Sequence, residues 1–381
     1  MQKSPLIVVV VALAAACSGS DAPSGEPVSC DGVEVVVAAS DYASSVVCGA
    51  PGCVVGDRSS GLDLGRDPQL TESNGRTFFL ARDNDLVFEL DARCGTPVAR
   101  FSVRGLNGQA AANPHDVAVA KDGALVVALY NTPKLAILAN GASRTIDLSA
   151  YDADGNPQIE SVRVIGDKAF AALERLDDKD RLLSKQPSQM LKIDIASGAV
   201  EAVVELAGRN PFNPMKELGG ALFLAEPGNF DVADEPLAGI ERFDTASMTT
   251  KLLVHEKDLG ASVTELAITE RCGAAIVAGP VPNKNPTALV TFDPDTGQVL
   301  ASAAAGSSGA VPPTPPILGP TEGFDLQGLA WRDGNLYVGD RRSAAPAYRI
   351  HVFSKTDACT LHESRTIDLP RPPVALRAAR K

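Results

Sequence analysis

The chain has 381 residues and a formal net charge of −12. An acidic body of this kind is a poor partner for nucleic acid or anionic headgroups, and the one basic stretch, Arg365 to Lys381, is spread out and broken by prolines. The length exceeds that of an ordinary single domain, which favours an array whose units each add a small core of their own.

In chain order, the first element is an export signal. After Met1-Gln2-Lys3 the stretch from Leu6 to Ala16 carries no charge. It has about half of the roughly 20 residues that a spanning helix needs, so residues 1–16 read as a cleaved signal peptide. The stretch ends Leu13-Ala14-Ala15-Ala16-Cys17. Small residues before a cysteine resemble a bacterial lipobox, with the leucine one place farther out than usual. Residues 17–32 then read as a lipidated Cys17 and a flexible tether, since residues 18–29 lack the large apolar side chains that would order them. Ser18 resembles the sorting position of outer-membrane lipoproteins in Gram-negative bacteria. No later segment reaches about 18 uncharged apolar residues, so the lipid would be the anchor.

From residue 33 to 381 one pattern recurs. A polar residue and a proline precede a short alternating strand; a Gly or Asp turn leads to a strongly apolar strand; a variable loop leads to a strand ending in Asp; a last strand follows. The clearest copy spans residues 113–149, with an Asp-Gly hairpin turn inside AKDGA. Other copies begin near Asp67, Asn156, Asn210, Ser262 and Phe324. A period of roughly 40–50 residues with four short strands predicts an all-β propeller. Residues 34–65 supply a second, third and fourth strand, and residues 371–380 supply the missing first strand. Joined, they make a seventh blade, so the expectation is a seven-bladed β-propeller with blade 1 closed by the C-terminal strand. Closure of this kind pairs two edges that would otherwise stay open.

The repeat resembles YncE-like propellers and, more closely, propeller lipoproteins of myxobacterial type. The carrying segments are VVVAASDYASSVV, IDLSAYDADGNPQIESVRVIGDKAFAALERLD and FDLQGLAWRDGNLYVGDR. The resemblance implies fold and compartment and assigns no reaction.

Besides Cys17 there are six cysteines, an even number that argues for disulfides in an exported chain. Cys48 and Cys53 flank GAPG at a strand turn. Cys30 and Cys272 precede second strands, and Cys94 and Cys359 follow third strands in the next blades. The expected pairs are therefore Cys30–Cys94, Cys272–Cys359 and Cys48–Cys53.

Candidate chemistry concentrates on one face. Loops between second and third strands and between blades are long there, at 174–190, 226–239, 279–288, 307–323 and 339–349, and such loops suit a protein or small polar ligand. Leading residues of the first strands should ring the channel mouth: Gln69, His115, Asp116, Glu160, Asn213, Thr264, Glu265 and Gln327. A carboxylate, an imidazole and amides converging there suit a small polar ligand or a cation. Asp152, Asp154, Asn156 and Glu160 resemble a fragment of a calcium loop, making calcium the one conceivable cofactor. No nucleophile elbow, phosphate loop, dinucleotide fingerprint or HExxH motif is present. The first expectation is an outer-membrane-anchored binding or scaffold lipoprotein; the alternative is a channel-site metal-dependent hydrolase or lyase of lactonase type. If the lipid is the anchor, Cys17→Ala moves the protein from the membrane to the soluble fraction on fractionation of envelopes. Full membrane retention of that variant would refute acylation.

Overall fold

The structure is a computed structural model that describes residues 30–53, 62–230, 232–279, 285–304, 314–343, 348–356 and 359–381. The signal peptide, Cys17 and most of the tether lie outside the described residues. The strands form seven antiparallel sheets arranged as a β-propeller. Their first strands are Pro373–Ala378 in blade 1, then Pro68–Ser73, Pro114–Val119, Ile159–Ile165, Phe212–Leu218, Ser262–Thr269 and Leu326–Arg332 in blades 2 to 7. Each first strand neighbours the next, so together they ring the central channel.

Blade 1 is closed as expected. Pro373–Ala378 pairs antiparallel with Val35–Ser40, with Val35 opposite Ala378 and Val37 opposite Leu376. Val35–Ser40 in turn pairs with Ser45–Ala50. This sheet has three strands among the described residues: residues 62–65 carry no strand, and residues 54–61, the other part of the expected fourth strand, lie outside them.

The core is divided. Seven apolar clusters fill the seven junctions between neighbouring blades. Between blades 2 and 3, Phe78, Leu80 and Val87 meet Val117, Leu125 and Val127. Between blades 7 and 1, Tyr337 and Ile350 meet Val35 and Val37. A strand in the middle of a blade thus buries both faces. That accounts for second strands such as Leu125–Leu129 and Cys272–Ala278, which are apolar without alternation and buried along their whole length. The aspartates ending the third strands have a local task. Asp194, Asp244 and Asp293 each accept a backbone N–H two or three residues on, at Ser197, Ser247 and Asp295. Such side-chain-to-backbone bonds set the turn into the fourth strand.

All three expected disulfides form, with Cα–Cα distances of 5.0 Å for Cys30–Cys94 and 5.2 Å for Cys48–Cys53 and Cys272–Cys359. These lie within the range a bridge requires. The first fixes the lead into blade 1 to blade 2, and the last joins blades 6 and 7. Cys272–Cys359 spans 87 residues, so by chain entropy its removal costs roughly 4 kcal/mol. The double variant Cys272→Ala/Cys359→Ala should lose stability of that order in denaturant titration. A loss below about 1 kcal/mol would show that the bridge does not constrain the unfolded chain as supposed.

Candidate functional site

The first strands bring most of the expected ring residues to one opening, where they bind one another. Gln69 Nε2 donates to Asn213 Oδ1 at 2.7 Å. Gln69 belongs to blade 2 and Asn213 to blade 5, three places around a ring of seven, so this bond crosses the mouth. Asn213 donates its backbone N–H to Glu160 Oε1 at 2.8 Å and its Nδ2 to the Thr264 carbonyl at 2.8 Å. Glu160 Oε2 lies 2.5 Å from His115 Nδ1. Gln327 stands apart on the rim, accepting from the Tyr42 hydroxyl at 3.4 Å.

Two residues beside this group were not anticipated. The Tyr130 ring stacks on His115, with centroids 4.2 Å apart, and its hydroxyl donates to Glu174 Oε2 at 2.7 Å. Glu160 and Glu174 are both buried. Burial raises both carboxyls. For Glu160 burial is the largest influence, but His115, Arg82 and the Asn213 N–H together outweigh it, and the carboxyl ends below its ordinary value. For Glu174 burial and the charge of Glu160 act together, and the carboxyl ends well above it. The two carboxyls are thus driven in opposite directions, Glu160 toward its ionised form and Glu174 toward its protonated form. Tyr130 and Glu174 sit at the ends of apolar second strands, where only their polarity after LVVAL and KAFAAL marked them.

Deeper in the channel the polar side chains link blade to blade. Asp116 is fully buried. Its Oδ1 accepts from Thr71 Oγ1 at 2.6 Å and its Oδ2 from Arg163 Nη1 at 2.6 Å and from the Val162 N–H at 3.0 Å. Arg163 donates onward to the Met215 carbonyl at 2.6 Å. Glu265 accepts from the N–H groups of Gly328 and Leu329 at 2.8 and 2.9 Å. Arg341 donates to the Pro373 carbonyl at 3.0 Å, and Arg377 donates to the Leu70 carbonyl. With Asn213 on Thr264, every junction carries at least one such bond. Arg163 and Arg377 escaped the sequence reading although a cation inside a buried strand, as in ESVRVI and VALRAA, is itself a signal.

The residues of the calcium-loop fragment have other partners. Asp152 accepts from Gln186 Nε2 at 2.8 Å and has Arg175 Nε at 3.6 Å. Asp154 accepts from the Asn156 N–H at 3.0 Å, while Glu160 is at the channel mouth with His115. Among the described residues, the one group of three or more His, Cys, Asp or Glu ligand atoms within 4.8 Å of one another is Cys30, Asp91 and Cys94. Its two sulfurs are joined as a disulfide.

The long-loop face has a different character on blades 4 and 5. The loop holding Ser184 is tied to the loop holding Asn229, the Ser184 N–H donating to Asn229 Oδ1 at 2.8 Å. On these two loops Leu182, Phe230, Val232 and Leu237 are exposed, Leu182 to 48% and Val232 to 45%. Phe230 packs edge-on against Phe212 beside the mouth, with centroids 5.4 Å apart.

No family model matches the sequence, and no curated protein is similar to it. Solved propellers are similar in fold. A hydrazine synthase chain from Kuenenia stuttgartiensis aligns with a TM-score of 0.55 at 13% identity, covering 81% of this chain and 88% of that one. The WD40 repeats of RRP9 align at 0.53 and 11%, covering 82% and 84%. Virginiamycin B lyase from Staphylococcus aureus aligns at 0.52 and 11%, covering 80% and 85%. At these identities the likeness is one of fold alone.

The raised Glu174 carboxyl gives a pH test. Because Glu174 is raised in the folded state, folding takes up a proton wherever free glutamate is ionised, and stability falls as pH rises from the ordinary carboxylate range. Glu174→Gln keeps an acceptor for Tyr130 and removes that proton uptake. The variant should gain stability relative to the parent on going from pH 5 to pH 8, read from urea midpoints. A difference independent of pH would contradict the assignment.

Proposed function

We propose that the protein is an exported lipoprotein, held at the outer membrane through Cys17, that serves as a binding or scaffold module and docks a protein on its long-loop face. The observation that carries the reading is the run of exposed apolar side chains on the joined loops of blades 4 and 5. Leu182, Phe230, Val232 and Leu237 are each 38–48% exposed and could bury that remaining surface only against a partner, and apolar groups gathered on one face mark such sites. Export is supported by three disulfides and by a signal-like N-terminus. Among the described residues no helix is long and apolar enough to cross a membrane, which is consistent with a lipid as the attachment. The channel argues for a structural part: its mouth is bridged by Gln69 and Asn213, and the cavity below measures about 20 Å³, room for about one water.

A second reading, a channel-site metal-dependent hydrolase or lyase, draws on the His115–Glu160 pair and the raised Glu174 carboxyl beside it. It requires metal-dependent turnover that His115→Ala abolishes.

For the docking reading, the full chain should be cross-linked in native envelopes and purified in detergent. A stoichiometric partner should appear and be lost in Phe230→Asp/Leu237→Asp, with the melting temperature of the variant within about 2 °C of the parent, as expected for exposed sites. No partner with the parent chain, or equal recovery with the variant, would remove this face from consideration.

A further inference from the structure

The strands lining the channel place a cation at one corresponding position in three blades. Arg163 donates to the Val162 carbonyl of its own strand and to the Met215 carbonyl of the next blade. Arg377 repeats both bonds, on Leu376 and on Leu70. Lys216 follows Met215 as Arg163 follows Val162, so it holds the same place in blade 5. Arg163 has Asp116 as counter-charge at 2.6 Å. Among the described residues, neither Lys216 nor Arg377 has a carboxylate within ion-pair distance. The strongest opposing charge on both is that of Glu265, whose two oxygens accept from the N–H groups of Gly328 and Leu329.

Lys216 and Arg377 face the same cavity of about 20 Å³, which Gln69, Asn213 and Glu265 also line. Below about pH 7 two cations against one carboxylate leave it net positive, and its volume is that of one small guest, a water or a single halide ion. Gln69 and Asn213 each spend one amide N–H on a known partner and retain a second.

We propose that this cavity is a binding site for one small monovalent anion, of the size of chloride, held between the Lys216 ammonium and the Arg377 guanidinium. The site is distinct from the docking face. Its cost when empty is visible in the lysine: burial and then Arg377 and Arg163 push the amine down to about 7, against the opposite pull of Glu265 and Asp116. An anion reverses that repulsion by favouring the ammonium. Binding therefore takes up a proton and weakens as pH rises through about 7.

The test uses the exported chain with halide as the probe. Crystals soaked in bromide should show one anomalous peak in the channel between Lys216 Nζ and Arg377. In solution at pH 6 and constant ionic strength, exchanging gluconate for chloride should raise the melting temperature by about 2 °C per tenfold chloride once the site is filling. The rise should shrink at pH 8 and vanish in Lys216→Met. A channel without bromide, an equal effect of gluconate, or a chloride response retained by Lys216→Met would overturn the proposal. Should that variant fail to fold, the bromide map of the parent chain decides.

Discussion

The architecture depends on one pairing, that of Pro373–Ala378 with Val35–Ser40. Each apolar cluster lies between two blades, so a blade is stable only with a neighbour on both sides. An open arc of seven blades would keep six cores and expose the halves of a seventh. The Val35, Val37, Tyr337 and Ile350 cluster exists because the C-terminal strand brings blade 1 against blade 7. Burying the side chains of such a cluster is worth roughly 2 kcal/mol for each large residue. The disulfides at Cys30–Cys94 and Cys272–Cys359 stand at junctions 1–2 and 6–7, flanking the junction formed last.

The channel answers a different constraint. Seven strands meeting around an axis leave polar backbone groups and side chains with little water, and each must find a partner or lose the free energy of an unmade bond. Asp116 meets this demand with four bonds spread over three blades. The same residues that close the opening also hold the blades in register, which is why the mouth is occupied by its own side chains. Buried charge in such a ring stabilises only when paired. Lys216 and Arg377 are the place where the pairing is left incomplete.

Much of this was legible in the sequence because propeller blades repeat. The recurrence of a fully apolar second strand and of an aspartate at the end of the third identified the blades, and a cysteine's place within its blade was enough to pair all six. The first strands of six blades and the closing strand fell where the pattern put them. The ring was legible only as a set of positions. Position told that Gln69, His115, Glu160 and Asn213 share an opening, but not that Gln69 and Asn213 reach across it, since that depends on the channel's width. Arg163 and Arg377 were hidden for a related reason: a cation in an apolar strand is read as a surface residue until the carbonyls around it are known. Asp152 was grouped with Glu160 by spacing alone, while the fold turns the chain between them and gives Asp152 to Arg175 and Gln186.

The closing strand also dictates an order of events in the life of the chain. Pro373–Ala378 is synthesised after every other strand described here. Until it arrives, the edge of Val35–Ser40 is unpaired, and the molecule is an arc with two ends able to recruit any extended segment nearby. On the export reading proposed above, Cys30, Cys48, Cys53 and Cys94 reach an oxidising compartment before Cys272 and Cys359 do. The Cys30–Cys94 bridge between blades 1 and 2 can then close before the ring is complete. The contact that completes the ring joins residues more than three hundred positions apart, among the slowest kinds of contact for a chain to find.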